Sequence, residues 1–481
     1  MQKKFIVNLA FLIGINLLVK PFWIFGIDRT VQNIVGAGEY GLYFAVLNFS
    51  FLFGFMLDFG FTNFNNRNVA RHEHLASKYT GSILSMKAFL ALIYAAVSFI
   101  AALIIGYSKV HFHLLIWLGI NQILSSFILF LRSNVSGMQL FKTDSILSVL
   151  DRLLMIIFFS ILLWGNLFKI QINIFYFAAF QTLSYFITFL VALAIVLRKT
   201  KIKNIKWNKK LNIVIFRQSL PFALLSILML FYFRIDSIMI ERILENGEVN
   251  AGIYASAYRI LDAFGMFAYL FSVILLPFFS RLLSQKQETG GILQIAAILL
   301  LSAAITISAI TLFNSDVIMS VLYKEHIAES AAVLKILMFT FIFISSIYVF
   351  GSLLTAFGSM KKLNMIALGG VILNISLNII LIPKYKEIGA AWSGLVTQGF
   401  VAISQIIFSF LLINPRGLKK TVMMLLLFAT AIYTTAWISS KNINNSWNSM
   451  IVIFSIWIIF IAVYSFIKLK KENITIKEFL K

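Results

Sequence analysis

Apolar runs of about twenty residues, each closed by a short polar or basic segment, recur along the whole chain. About 20 apolar residues in a helix cross a hydrocarbon core of roughly 30 Å. The pattern predicts fourteen such helices, at 5–30, 39–64, 82–107, 112–132, 145–167, 173–197, 213–240, 252–277, 291–313, 329–353, 363–382, 388–413, 421–438 and 450–467. Long runs and only 5 prolines in 481 residues favour helices over a barrel, whose strands would alternate and be separated by turns. The expected fold class is an all-α integral membrane protein.

The longest polar interruption is basic. Seven Lys or Arg and no acid lie between Arg198 and Lys210. The halves on either side echo each other. Phe25-Gly26-Ile27-Asp28, Gly38-Glu39 and Gly41-Leu42-Tyr43 return as Phe233-Arg234-Ile235-Asp236, Gly247-Glu248 and Gly252-Ile253-Tyr254. A second echo sets Ser136-Gly137-Met138-Gln139 beside Phe357-Gly358-Ser359-Met360. The expected organisation is a six-helix lobe at 1–197, a basic cytoplasmic linker at 198–212 and a second six-helix lobe at 213–413. Residues 414–481 add two helices and a basic tail. Two six-helix units in the same orientation imply a parallel repeat, with the cavity between the halves.

Composition confirms lipid as the solvent: 60% of residues are hydrophobic and 12% charged. The net charge of +23 would suggest nucleic acid in a soluble protein. Here the charge lies mostly in loops, where anionic headgroups and the positive-inside rule account for it, and no nucleic-acid partner is expected. With the N-terminus inside, 26 of the 41 Lys and Arg fall on the cytoplasmic side and 8 outside. Among the inner set are Lys3, Lys4, Arg67, Arg71 and the basic linker. The N-terminal stretch has no small-residue cleavage site and is expected to be retained as the first helix. Cysteine is absent, so no disulfide or thiolate site exists. His72, His74, His111, His113 and His326 sit near helix ends and are expected to be solvated; no metal is expected.

Charges inside spans should face protein or water, because each costs roughly 2.5–3.5 kcal/mol at mid-bilayer on insertion scales. They concentrate in spans one, two, seven and eight, the corresponding pairs of the two repeats. Lys20 lies about 22 Å from the helix start, too deep to snorkel easily, and Pro21 after it removes a backbone donor. Lys20 and Arg234 have no obvious carboxylate one turn away and are read as functional. Arg259 and Asp262, one turn apart, either neutralise each other or bind substrate. Asp58 is expected to pair with Arg67 or Lys20. Asp28 and Arg29 read as a solvated helix end, and Lys87, Arg132, Arg152 and Lys335 as snorkelling side chains. Cations in an apolar cavity favour an anionic substrate, Arg in bidentate contact with phosphate. Phe22, Trp23, Tyr232, Phe233 and Tyr258 either stack on sugars or, more simply, pack. No GxxxxGK[ST] motif is present, so ATP is not the evident driver.

Gly38-x-Tyr40-Gly41-x-Tyr43, Leu57-Asp58-Phe59-Gly60 and the basic Arg67 and Arg71 resemble the N-terminal region of bacterial polysaccharide-repeat flippases. These belong to the multidrug/oligosaccharidyl-lipid/polysaccharide exporter superfamily. Arg234-Ile235-Asp236 and Gly252-Ile253-Tyr254-Ala255 extend the resemblance into the second half. It implies two six-helix lobes in a V around a cationic lumen, two extra C-terminal helices and alternating access. In related peptidoglycan-precursor flippases, basic residues of the first, second and eighth helices bind diphosphate. That implies Lys20 and Arg259 here, with Arg234 added from the seventh; the second helix offers only Asp58, a departure from the pattern. The last two helices correspond to ones that form a groove for the lipid tail in precursor flippases.

The function so implied is translocation of a polyprenyl-diphosphate-linked oligosaccharide, for O-antigen or a related surface polymer, across the bacterial inner membrane. Lys20, Arg234 and Arg259 would bind the diphosphate. Asp58, Asp236 or Asp262 would bind Na⁺ or H⁺ or balance the arginines. No other cofactor is expected. Partners are the lipid-linked oligosaccharide, membrane lipids and, as candidates, other polysaccharide-assembly proteins; nothing requires an oligomer, and both termini are expected in the cytoplasm. The alternatives are a multidrug or cation antiporter of the same superfamily, and a membrane-embedded glycosyltransferase or polymerase. The latter needs a large external catalytic loop, and the longest outer loops are about 15 residues, short of a folded domain.

Overall fold

The computed structural model describes residues 14–62, 65, 69, 76–164, 172–200, 209–415, 417–443 and 445–472. Among them every regular element is helical. We number the helices α1 (Gly14–Leu57), α2 (Ala76–Ile105), α3 (Lys109–Gly137), α4 (Phe141–Leu147), α5 (Leu150–Trp164), α6 (Ile174–Thr200), α7 (Lys209–Ile243), α8 (Gly247–Ser284), α9 (Gly290–Leu322), α10 (Ile327–Ala356), α11 (Met360–Leu412), α12 (Leu418–Asn442) and α13 (Ser446–Glu472). Lys3, Lys4, Arg67, Arg71, His72, His74, most of the basic linker and the end of the tail lie outside the described residues.

Twelve helical spans among the described residues are long and apolar enough to cross a membrane, α4 and α5 together making one. The sequence leads one to expect fourteen, and two double-length helices account for the difference. α1 runs 44 residues and α11 runs 53, about twice what a bilayer requires. Each is broken once. Gly36 in α1 takes φ 82°, ψ 170°, open to a residue without a Cβ. In α11 the break is Lys386 at φ 53°, three residues after Pro383.

Both breaks reverse the chain. The Tyr40 hydroxyl donates to Asp28 Oδ2 at 2.6 Å, although twelve residues of straight helix would separate them by about 18 Å. A Cβ on Gly389 would lie 2.3 Å from the Leu381 carbonyl oxygen, and eight residues of straight helix span about 12 Å. Each long helix is therefore a tight helical hairpin, and counting its two limbs separately restores fourteen.

By its contacts the chain divides into two compact units, Met1–Ser256 with Ile375–Ala390, and Ala257–Asn374 with Ala391–Lys481.

In the first unit α1 packs on α3, α6 and α7. Lipid tails are as apolar as Leu, so small residues and interhelical hydrogen bonds carry much of the specificity. Asn48 donates to Ser237 at 2.8 Å, Thr80 to Asn134 at 2.6 Å and Asn16 to Ser148 at 2.9 Å. The closest approach uses two glycines of the sequence echo. A Cβ on Gly41 would stand 1.8 Å from the Glu248 carbonyl oxygen, and one on Gly252 would stand 1.9 Å from that of Ala37. Backbone thus meets backbone where α1 crosses the start of α8, and Gln32 Nε2 donates to Gly252 O and Ser256 Oγ alongside.

In the second unit α9 packs on α10 and also carries α12 and α13. Tyr433 of α12 and Trp457 of α13 donate to Ser308 and Ser302 of α9, at 2.8 and 2.9 Å.

Candidate functional site

The first limb of α1 holds the deepest of the expected cations. Pro21 lacks the N–H that would continue the helical ladder, and the helix widens into a π segment over Trp23–Asp28 directly after it. Such segments are frequent at functional sites. Lys20 precedes this segment, one turn beyond Asn16, whose side chain is tied to Ser148 between α4 and α5. Lys20 has no carboxylate within ion-pair distance among the described residues. It lies within electrostatic reach of Arg152, Asp151 and Arg132.

Those arginines, expected to snorkel, have partners within the protein. Arg132 Nε donates to Asp144 Oδ1 at 2.8 Å, with the side chains 21% and 14% exposed. Arg152 Nε stands 3.4 Å from Asp151 Oδ2, and its Nη2 donates to the Tyr185 hydroxyl at 3.0 Å. The Arg152 guanidinium also lies over the rings of Trp23 and Tyr185, at 5.2 and 5.6 Å. Trp23 in turn stacks on Phe177 at 5.8 Å. Of the expected aromatics, Trp23, Tyr232 and Tyr258 are packed inside, and Phe22 is exposed. Lys335 is the exception that does lie at the surface, 3.4 Å from the exposed Asp316.

Asp58 pairs with neither Lys20 nor, among the described residues, any arginine. Its partner is Lys87 of α2, Nζ to Oδ1 at 2.7 Å, and Lys87 also donates to the Leu57 carbonyl at 2.8 Å. Lys87 is 1% exposed, because the helix end at Leu57 supplies a carbonyl acceptor beside the carboxylate. Asp58 further accepts from the Thr62 hydroxyl and amide. Its negative charge is thus internally matched.

Arg234 donates to Asn48 Oδ1 at 3.4 Å and sits over the Phe51 ring at 5.4 Å. Asp236, 3% exposed, accepts from the Tyr254 hydroxyl at 3.0 Å and from Asn378 Nδ2 at 2.7 Å. Asp28 mirrors it in the first repeat and is equally buried, which corrects the expected solvated helix end. In the second unit the Arg259–Asp262 pair is present along one face of α8, at 3.9 Å. These side chains are 16% and 22% exposed.

The histidines divide. His326 is half-exposed near Glu329. His111 is buried against expectation. Its Nε2 lies 3.0 Å from Glu241 Oε1, its Nδ1 2.8 Å from the Ser108 hydroxyl, and its ring stacks on Tyr107. Arg242 clamps the same Glu241 with two donors at 2.7 Å. No group of three metal-ligating side chains occurs among the described residues. The sequence marks Lys87, Arg132 and Arg152 only as charges near helix ends, and nothing in it singles out Glu241. The one available signal was that Asp144 and Asp151 flank the break between α4 and α5.

Comparison with known proteins agrees with this architecture. The polysaccharide biosynthesis protein family model matches residues 8–283, and the MatE model matches 221–380. An uncharacterized membrane protein of Methanocaldococcus jannaschii is 32% identical over 200 residues, 42% of this chain and 46% of that protein. The capsular polysaccharide biosynthesis protein CapF of Staphylococcus aureus is 26% identical over 213 residues, 42% of this chain and 52% of CapF. The matches therefore span about half the length of these relatives. Among solved structures, the lipid II flippase MurJ in an inward closed conformation superposes with a TM-score of 0.70 at 15% identity, covering 97% of this chain and all of that one. An inward-facing multidrug resistance MATE family transporter of the MOP superfamily gives 0.61 at 13% identity, over 86% of this chain and 96% of that one. A MOP superfamily transporter from Pyrococcus furiosus, described by the reverse polarity of its binding pocket, gives 0.58 at 14% identity, over 85% and 94%. This multi-pass membrane protein, with a fold shared by MurJ and MATE transporters, belongs to the polysaccharide biosynthesis protein family.

Proposed function

We propose that this protein is a flippase that moves a polyprenyl-diphosphate-linked oligosaccharide across the bacterial inner membrane by alternating access. The cargo is the repeat unit of a surface polysaccharide, an O-antigen or a capsule. The observation that carries the reading is Lys20, a cation within an apolar helix with no carboxylate in ion-pair distance among the described residues, in a chain that belongs to a polysaccharide biosynthesis family. A charge left unpaired inside a membrane domain is costly and is retained where it binds something. Lys20 and Arg234 of the first unit are the proposed cationic contacts for the diphosphate, the arginine in forked contact with phosphate oxygens; Arg259, in the second unit, is a separate candidate contact. Both termini are proposed to be cytoplasmic, as the charge asymmetry favours.

Asp58, Asp236 and Asp262 are the three carboxylates considered for ion coupling or charge balance. Asp236 is buried and accepts from Tyr254 and Asn378, Asp58 has Lys87 beside it and Asp262 has Arg259.

Deletion followed by surface-polymer analysis tests the reading, with the membrane side of the lipid-linked repeat unit determined in parallel. Accumulation on the cytoplasmic face, relieved by the intact gene, is expected. Normal polymer with no stalled intermediate, in a strain lacking a second exporter, overturns it. The MatE match over 221–380 supports a second reading, a multidrug or cation antiporter; drug sensitivity on deletion, with polymer unchanged, would favour that one.

A further inference from the structure

We propose that Arg132 and Arg152, together with Lys20, form the diphosphate site of the first unit, and that Asp151 occupies the phosphate's place when the site is empty. The inference rests on the flippase reading and extends it to two arginines on α3 and α5. Three cations from three helices meet two carboxylates. Asp144 is committed to Arg132 at 2.8 Å. Asp151 stands 3.4 Å from Arg152 Nε, beyond the roughly 2.7–2.9 Å of a charge-assisted hydrogen bond. Lys20 has no carboxylate within ion-pair distance among the described residues.

The site is built as well as charged. Arg152 is positioned by the Tyr185 hydroxyl and the faces of Trp23 and Tyr185, so its planar fork is oriented before any ligand arrives. Arg132 is five residues from the end of α3 at Gly137, and Arg152 eleven residues into the Phe141–Trp164 span. At 1.5 Å per residue that is about 8 Å and about 16 Å along their helices. Lys20 is one turn beyond Asn16 and Arg152 one turn beyond Ser148, to which Asn16 is tied, and the Arg152 guanidinium lies over Trp23, three residues past Lys20. An arginine nearer a helix end, with a second arginine and a lysine farther in, offers contacts to two successive phosphates.

Calorimetric titration of the purified full-length protein in detergent tests the site, using farnesyl diphosphate, inorganic pyrophosphate and phosphatidylglycerol as separate probes. Farnesyl diphosphate should bind, more weakly as salt is raised. Lys20→Gln, Arg152→Gln and the pair Arg132→Gln with Asp144→Asn should each weaken it about tenfold or more. The paired change leaves no lone acid behind, which protects the fold. Asp151→Asn should bind several-fold more tightly, an outcome that a purely structural carboxylate would not produce. Unaltered binding in all the cation variants overturns the site and leaves the flippase reading standing, provided deletion still stalls the lipid-linked repeat. Equal binding of phosphatidylglycerol overturns it in favour of a structural lipid, and pyrophosphate binding as tightly as the farnesyl probe in favour of a free-anion site. Failure of farnesyl diphosphate to bind the wild-type protein overturns the site outright; if deletion also leaves polymer normal, the flippase reading falls with it.

Discussion

Two lysines of the first unit sit in the same helical bundle and lead opposite lives. Lys87 is buried, its ammonium shared between Asp58 and the Leu57 carbonyl. Lys20 is half-buried and within electrostatic reach of Arg152, Asp151 and Arg132, with no carboxylate in ion-pair distance among the described residues. Both are single charges in apolar helices, and by sequence Lys20 is the deeper. The difference is whether the fold supplies the counter-charge. Where it does, the lysine holds helices together; where it does not, the proposed role of the positive charge is to meet a ligand.

That contrast can be broken most forcefully at Lys87. Lys87→Met leaves Asp58 without its ammonium beside a helix end, and truncating one partner of a buried pair costs about 3–5 kcal/mol. A large fall in the thermal midpoint of the detergent-solubilised protein is expected, with substantial recovery when Asp58→Asn is added. A double variant no more stable than the single one would mean that the pair is not what Lys87 contributes.

Next comes the glycine crossing. Gly252→Val puts side-chain atoms where the Ala37 carbonyl already is, and overpacking typically costs about 1–3 kcal/mol. The expected result is reduced stability together with lost export, read by unfolding and by surface polymer. A similar but smaller loss is expected for Glu241→Gln. It keeps the shape but removes the charge that His111 and Arg242 share, a loss of about 1–3 kcal/mol. A double-mutant cycle with His111→Gln checks whether the two residues act as one unit.

Lys20→Gln should be the mildest to the fold, within about 1 kcal/mol, while surface polymer falls sharply. Equal destabilisation by Lys20→Gln and Lys87→Met would erase the comparison and make Lys20 a structural residue.

Much of this was legible in the chain, and some of it was not, for a definite reason. Helix count follows from local hydropathy, which needs only neighbours in sequence; even the hairpins of α1 and α11 are marked by Gly36 and by Pro383 near Lys386. The echo of Gly41 and Gly252 was visible as a repeat, but not as the place where two backbones touch. The partners of buried charges were invisible. Asp58 and Lys87 are 29 residues apart, and Glu241 and His111 are 130 apart; pattern and spacing carry no information about such pairs.

The sequence by itself determined that this chain lives in lipid, how many times its helices cross and which of its charges lie within the hydrophobic runs. Those are consequences of transfer free energy, summed residue by residue along the chain. Only the tertiary structure decided which charges are answered from within. An ion pair depends on a few ångströms between side chains that are often far apart in sequence, and that distance is set by packing: it buried Lys87 on Asp58, set Arg132 against Asp144 and Arg152 beside Asp151, and left Lys20 with no carboxylate in ion-pair distance among the described residues.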